Sequence, residues 1–483
     1  MTDIREAALE RKTKLIATVG PASNSEEKLR ELLLAGVNVF RLNFSHGTHD
    51  AHLTVLNSIR KLSSELDKPV AILQDLSGPK IRISEITGDY IELNKPQVKL
   101  KHADGSFSTP ETLYVETVDP VQTLKPGDRL LLADGLLQLQ AQQIKQDHVL
   151  CDVIKGGRIR SRAGVSFPDS SIKLPATTEK DMVDLEWGIE NEVDYVALSF
   201  VSTAEDVLMV REAIRKKSAD CKIIAKIERK SALENIDSIL DVSDGLMVAR
   251  GDLGVELPLE KIPVLQKKLI EKANYRGIPV IVATQMLHSM ITSLRPTRAE
   301  VSDIATAVMS GADALMLSEE TAIGEHPVEA LKYLARIANE AEKNFVFSEY
   351  KLRLRDADRA TVPDAVAYAA AAAANKVEAA AIIACTETGN SARLLAKYRP
   401  QQPIYGASSS NATLNRMCLY WGIKPISCAS TDSHMAELEI ALKNVQKLEG
   451  YPNGTRAVIT GGLAVRTPGA TSVLEIREMM YGE

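Results

Sequence analysis

Aromatic residues are scarce in this chain: two Trp, seven Phe and twelve Tyr among 483 residues, 4% in all. That leaves no stacking platforms of the kind single-stranded nucleic acids use. Cysteine is scarce as well. The five present, Cys151, Cys221, Cys385, Cys418 and Cys428, are odd in number and lack CxxC spacing. This excludes a disulfide framework and a thiolate metal site, and it fits reduced thiols in a reducing compartment. No apolar run is long enough to span a bilayer; the longest, Ala365 to Ala374, reads as an alanine helix packed in a core. Neither sign of charge dominates. With 58 basic against 64 acidic residues, net charge is −6, so no general attraction to nucleic acid follows. The one basic stretch is Lys155–Arg162. The charged start, Met1-Thr-Asp-Ile-Arg-Glu6, has no apolar segment of a signal peptide. The expected protein is cytoplasmic, with neither membrane nor nucleic acid as partner.

What is present is alternation. Strand candidates Lys14–Val19, Asn38–Phe44 and Val70–Leu76 are separated by amphipathic stretches Glu26–Ala35 and Asp50–Leu66, which predicts parallel βα units. From Ser77 to Pro175 the pattern holds no good helix. Alternating segments such as Arg129–Ala133 and Leu136–Gln140 are joined by turns at Ala103-Asp104-Gly105, Pro126-Gly127-Asp128 and Asp134-Gly135. This predicts an all-β insertion. Thr178 with Asp181 then opens a helix in a capping-box pattern. Strand candidates follow at Tyr195–Phe200, Ile223–Glu228, Leu246–Arg250, Val280–Thr284 and Ala314–Ser318, with a helix from Pro327. Both sides of the insertion together give roughly eight βα units, the number a (β/α)₈ barrel needs. A charged linker, Leu352–Thr361, precedes a second α/β pattern with strands at Ala380–Cys385, Ile404–Ala407, Lys424–Cys428, Ala457–Thr460 and Ser472–Ile476. The expected division is a barrel from 1–76 and 176–350, an inserted β domain over 77–175, and a C-terminal α/β domain over 351–483.

A barrel works at the C-terminal ends of its strands. The second strand ends Arg41-Leu-Asn43-Phe-Ser45, the third in Asp75, the fifth in Lys226-Ile-Glu228. The sixth runs into Arg250-Gly251-Asp252, the seventh ends in Thr284 and the eighth in Ser318-Glu319-Glu320-Thr321. Lys226 and Glu228, two apart, share a strand face. Alone they read equally well as a buried ion pair that only fixes packing. As a set, the carboxylates Glu228 and Asp252 suit Mg²⁺, which takes few protein ligands and shares substrate oxygens. Lys226 and Arg41 suit a phosphoryl group, and Gly251 allows backbone to approach a ligand. With no nucleophilic Cys or Ser–His pair, the set points to direct phosphoryl transfer or to enolate chemistry. A Mg²⁺-dependent lyase or aldolase acting on an enolate is the alternative.

The chain resembles the pyruvate kinase family along nearly its whole length. The motifs are Lys14–Pro21 (KLIATVGP), Phe40–Gly47 (FRLNFSHG), Asp75–Arg82 (DLSGPKIR), Ala225–Glu228, Met247–Glu256 (MVARGDLGVE), Ala283–Met290 (ATQMLHSM) and Arg295–Glu300 (RPTRAE). The resemblance implies a TIM barrel, an inserted small β-barrel that acts as a lid, and a C-terminal α/β domain with an effector site. It implies phosphoenolpyruvate and ADP as substrates, pyruvate and ATP as products at the final step of glycolysis, and Mg²⁺ or Mn²⁺ held by Glu228 and Asp252. Lys226 and Arg41 would meet the transferring phosphoryl group. Gly251, Asp252 and Thr284 would line the carboxylate pocket, with Thr284 through water as one candidate proton donor. Arg82, Asn43 and His46 would face the nucleotide. A homotetramer is implied, with the helix at Arg298 meeting a neighbouring subunit.

Four positions depart from that pattern. The family's monovalent-cation site corresponds to Asn43, Ser45, Asp75 and the Leu76 carbonyl. Potassium-requiring members carry Glu after the Gly-Pro, whereas Lys80 stands here. An ammonium there could replace the cation, so activity without K⁺ is expected. Ala163 precedes Gly164-Val165 where many relatives have a nucleotide-contacting Lys. Glu319 occupies a usually small position and should turn away from a phosphate pocket. The loop Thr386, Thr388, Gly389, Asn390 and Ser391 opens a helix and could cradle a phosphate. Asn390 stands where some sugar-bisphosphate-responsive relatives have Lys, which favours activation by a monophosphate.

Overall fold

The computed structural model describes residues 11–133, 135–170, 175–347, 350, 361–431, 433–462 and 471–480. The charged N-terminus, Asp134 of the expected turn and all of the linker except Thr361 lie outside them.

Eight strands close a parallel barrel in sequential order: β1 (Lys14–Val19), β2 (Val39–Asn43), β3 (Ala71–Asp75), β4 (Tyr195–Leu198), β5 (Lys222–Ile227), β6 (Gly245–Ala249), β7 (Val280–Ala283) and β8 (Ala314–Leu317). β8 pairs back onto β1. The two-residue period of a strand sorts their side chains. Ile223, Ala225 and Ile227 of β5 join a core beneath the surrounding helices. Ile224 faces the barrel interior with Ile16, Val39, Leu73, Ala197, Met247 and Ile281. Lys226 follows Ile224 on that inner face, one layer higher.

Several strands are shorter than the sequence suggests. Glu228, Arg250, Thr284 and Ser318 lie just past the ends of β5, β6, β7 and β8, where the ladder stops and side chains are free to turn into the mouth. Arg250 begins a helix, Arg250–Glu256. Thr284 and Gln285 adopt left-handed backbone, with φ 71° and 54°.

The insertion carries its own apolar core, including Leu100, Leu113, Leu130, Leu139 and Cys151. It contains one turn of helix, Pro120–Thr123, where none was expected; Asp119 caps it and Pro starts it. Six strands form one sheet running from Val165–Ser166 to Thr112–Val115. Its edges do not pair directly. Residues 81–84 stitch both: Val165 N donates to the Ile81 carbonyl (2.9 Å), Ile83 N to the Ala163 carbonyl (3.0 Å), and Ser84 N to the Tyr114 carbonyl (2.7 Å). That seam covers the open edges and rounds the sheet on itself.

The C-terminal sheet has four parallel strands, β9 (Ala381–Cys385), β10 (Ile404–Ser408), β11 (Ile423–Ser427) and β12 (Arg456–Gly462), in the order β11-β10-β9-β12. A fifth strand, β13 (Thr471–Glu478), pairs antiparallel to β12. The alanine run forms the helix Val362–Lys376, which buries Ala367, Ala370, Ala371 and Ala374. All five cysteines are free.

The C-terminal domain forms the floor of the barrel. Lys14 Nζ donates to the Ile423 carbonyl (2.6 Å) and Tyr195 Oη to the Arg416 carbonyl (2.7 Å). Arg399, 1% exposed, lies over the Trp421 ring and donates to Asp313 (2.8 Å) and the Gly311 carbonyl (2.9 Å). Asp313 in turn accepts from Val280 N at 2.9 Å. Removing one member of a buried pair leaves the other charge uncompensated. Arg399→Leu and Asp313→Ala should therefore each destabilise the protein by about 3–5 kcal/mol, and together by much less than the sum. Thermal unfolding of both single variants and the double variant measures this; additive losses would contradict it.

Candidate active site

Above the aliphatic layers of the barrel lies a polar one. Thr18, Arg41, Asp75, Ser199 and Lys226 each stand two residues beyond an inward apolar residue on β1 to β5. Lys226 is its centre. Its ammonium lies 3.1 Å from Asp75 Oδ1 and 2.9 Å from Glu228 Oε1, and it donates to Ser199 Oγ at 2.7 Å. Arg41 donates through Nε to Asp75 Oδ2 (2.7 Å) and through Nη1 to Thr18 Oγ1 (3.0 Å). Burial alone would lower the Lys226 pKa, but Asp75 and Glu228 outweigh it and raise it above the ordinary value. Burial would raise Asp75, yet Lys226 and Arg41 hold it below the ordinary carboxylate value. Both groups therefore stay charged through the neutral range.

Glu228 is 2% exposed. Its second oxygen accepts from Phe200 N at 2.7 Å, and Phe200 sits in left-handed backbone with φ 56°. Glu228 also borders a cavity of ≈ 670 Å³ together with Asp252 and Glu256. The opposite wall is the β insertion, through Lys80, Ile81 and the segment Gly164–Ser170. Burial raises the Glu256 carboxyl and lowers Arg229 beside it.

The loop after β7 is pinned by its neighbours. Gly251 N donates to Thr284 Oγ1 (2.8 Å), and that hydroxyl donates to the Ala283 carbonyl (2.6 Å). The Arg250 guanidinium donates to the Thr284 carbonyl (2.7 Å) and to Asp303 (2.5 Å). Ser199 and Phe200 were not singled out in the sequence, and Arg250 was noted at a strand end without a role of its own. Ser199 carried a signal, since it follows Ala197 on the inward period of β4. Arg250 and Phe200 act through loop geometry, which no spacing reveals.

The remaining expected residues fall in three places. Asp75, Leu76, Asn43 and Ser45 are near the centre, but engaged within the protein. Both Asp75 oxygens are taken by cations, the Leu76 carbonyl accepts from Ser199 Oγ (2.8 Å), and Asn43 Oδ1 accepts from Ser45 N (3.2 Å). Lys80 is exposed and lines the cavity. Arg82 lies on the insertion and donates to the Arg162 carbonyl (2.8 Å), while the Arg162 guanidinium lies 3.4 Å from Glu116. Arg162 thus points to its own domain, and Ala163 leaves no cation at its position. His46 is exposed at the rim. Glu319 turns outward, 3.8 Å from exposed His288.

The C-terminal loop is bonded largely to itself. Gly389 N donates to Thr386 Oγ1 (3.0 Å), Asn390 Oδ1 accepts from Arg393 (2.8 Å), and the Ser391 and Thr471 hydroxyls are 2.5 Å apart. Thr388 is half-buried. Gly389 has φ 86°, which a side chain would strain.

Glu228 and Asp252 offer hard oxygens on one cavity wall. Among the described residues no group of three or more His, Cys, Asp or Glu is placed to hold a metal. A two-carboxylate set of this kind fits an ion that keeps water and takes substrate oxygens, as Mg²⁺ does. Among the described residues, no helix is long and apolar enough to cross a membrane.

Residues 10–331 match the family described as "Pyruvate kinase, barrel domain", and residues 364–477 match "Pyruvate kinase, alpha/beta domain". The pyruvate kinase of Clostridium perfringens (strain 13 / Type A) is 40% identical over 472 residues, covering 97% of this chain and 100% of the relative. That of Staphylococcus aureus (strain MRSA252) is 41% identical over 473 residues, covering 96% of this chain and 80% of the relative. The crystal structure of a pyruvate kinase from Cryptosporidium parvum superposes with TM-score 0.93 at 34% identity, covering 98% of this chain and 97% of that one. The chain is an enzyme, a phosphotransferase, and it belongs to the pyruvate kinase family.

Proposed function

We propose that this enzyme moves the phosphoryl group of phosphoenolpyruvate to ADP at the barrel mouth, giving pyruvate and ATP, in the cytoplasm, as the final step of glycolysis. The observation that carries the assignment of roles is the fixed ammonium of Lys226, held by Asp75, Glu228 and Ser199. A phosphoryl group in transfer spreads negative charge over its equatorial oxygens. Cations that are already oriented stabilise that charge without reorganising. Lys226 and Arg41 supply them, and their acceptors keep both heads aimed. Glu228 and Asp252 would hold Mg²⁺ or Mn²⁺, which supplies Lewis-acid polarisation of substrate oxygens. Gly251, Asp252 and Thr284 receive the carboxylate of the substrate. Thr284 is the candidate to pass a proton, through water, to the enolate carbon. Its own hydrogen is directed at the Ala283 carbonyl, so delivery requires the hydroxyl to rotate.

The β insertion serves as a lid. Its wall of the cavity faces the mouth, Arg82 would meet nucleotide phosphates with Asn43 and His46 opposite, and closure would keep water from consuming the phosphoryl group. Lys80 on that wall would do the work of a monovalent cation at the Asn43, Ser45, Asp75 and Leu76 group. The loop from Thr386 to Ser391 would bind a monophosphorylated activator, and the assembly would be a homotetramer with Arg298 near a subunit contact.

Three assays test these statements. Lys226→Met should lower kcat for ATP formation by on the order of 10²–10³ while retaining the far-ultraviolet circular dichroism of the parent. Retained turnover would end the assignment, and absence of ATP from the parent enzyme would point instead to a lyase. In buffer free of K⁺ and Na⁺ the enzyme should keep its rate; a large loss restored by K⁺ would remove the role given to Lys80. Glucose 6-phosphate, ribose 5-phosphate or AMP should lower the phosphoenolpyruvate concentration needed for half-maximal rate. No change with all three would exclude the monophosphate site.

A further inference from the structure

The chain passes between barrel and lid twice, once after β3 and once before the helix Glu179–Glu190. One carboxylate joins the two crossings. Asp181 is fully buried. Its Oδ2 accepts from Thr178 N (2.8 Å) and Thr178 Oγ1 (2.7 Å), while its own N–H donates to Thr178 Oγ1 (3.1 Å). Those bonds are a helix cap and belong to the second crossing. Its other oxygen, Oδ1, accepts from Gly78 N at 3.1 Å, 103 residues earlier in the chain and on the first crossing. A helix cap has no need of that bond.

Gly78 is where the first crossing presses on the site. Its φ is +65°, and a Cβ there would meet Phe200 Cδ2 at 2.7 Å and Ser199 Cβ at 2.9 Å. Those two residues orient the reactive groups. Ser199 Oγ accepts from Lys226 and donates to the Leu76 carbonyl, which is itself at the crossing. Phe200 N donates to Glu228. The seat of Gly78 therefore bears on the backbone behind Lys226 and Glu228.

We propose that Asp181 is a positioning residue for phosphoryl transfer, a clasp that ties the two lid crossings together and sets where Gly78 rests against Ser199 and Phe200. This rests on the lid reading given above. Losing the clasp leaves Lys226 and Glu228 held by the ion pairs that Lys226 makes with Asp75 and with Glu228, so the barrel-side contacts of phosphoenolpyruvate stay in place. It lets the lid stop at more than one angle, which affects nucleotide engagement and turnover together.

The test uses the full chain and the variants Asp181→Asn, Thr178→Val and Thr178→Ser. In Asp181→Asn the single side-chain oxygen keeps the two Thr178 donors and the NH2 is left facing Gly78 N, so the bond between the crossings is lost. It should lower kcat and raise KM for ADP, each by about tenfold, with phosphoenolpyruvate affinity measured without ADP unchanged. Hydrogen exchange in the peptide spanning 76–82 should quicken, while β5 and β6 keep their protection. Thr178→Val keeps the shape and loses the hydroxyl, so it should show the same split in weaker form; Thr178→Ser keeps the hydroxyl and should match the parent. Kinetic constants of Asp181→Asn within about twofold of the parent, or a rate loss that tracks a uniform rise in exchange, would overturn the clasp. If Asp181→Asn fails to fold, the Val and Ser pair decides: equal behaviour of the two overturns it. If the parent itself makes no ATP, the functional reading fails, and exchange at Gly78 still reports on the clasp.

Discussion

Everything at the barrel mouth depends on one charge arrangement. A lone ammonium inside a barrel is costly, and so is a lone carboxylate. Lys226, Arg41, Asp75 and Glu228 are tolerable only together, because each supplies the counter-charge another lacks. The arrangement is also over-determined. Asp75 meets two cations, Lys226 meets two anions and a hydroxyl, and Glu228 meets a cation and a backbone N–H. Groups held from several sides do not swing to suit an arriving substrate. A site preorganised for developing negative charge requires that stiffness.

The scaffold explains how such a cluster is afforded. Below it, the barrel is filled by apolar side chains from every strand. Above it, the β insertion walls the cavity without a direct hand in the cluster. The loops after β4 and β7 take left-handed backbone at Phe200, Thr284 and Gln285. Strain of that kind persists where surrounding bonds impose it. Here Glu228 holds Phe200, and Arg250 holds the Thr284 carbonyl.

The barrel was legible from the sequence because hydrophobic runs and helical stretches alternate with short loops. The inward period of two carried Lys226, Arg41 and Asp75 to one face. The strand ends were harder to place. Glu228 and Thr284 read as strand residues because their neighbours are apolar, but the ladder stops one residue earlier, where a side chain can turn toward ligand. The insertion was recognisable as all-β, although its short Pro120–Thr123 helix was missed, since four residues carry no helical period. Phe200 and Asp181 were invisible as site residues because each acts through a backbone contact that only the folded loops create. The Gly78–Asp181 bond exists only once two crossings 103 residues apart are folded side by side.

The barrel interior has no floor of its own. Ile16, Val39, Tyr195, Ile224 and Met316 share one continuous core with Tyr398, Leu419, Trp421 and Ile423 of the C-terminal domain. Tyr195 and Lys14 find their hydrogen-bond acceptors there as well. The C-terminal domain is therefore the stopper of the vessel whose rim is the active site. Cutting the chain between them would open the column of side chains from below and leave a phenol and an ammonium facing water inside it. The barrel and the C-terminal domain thus share one core, although each has a complete sheet.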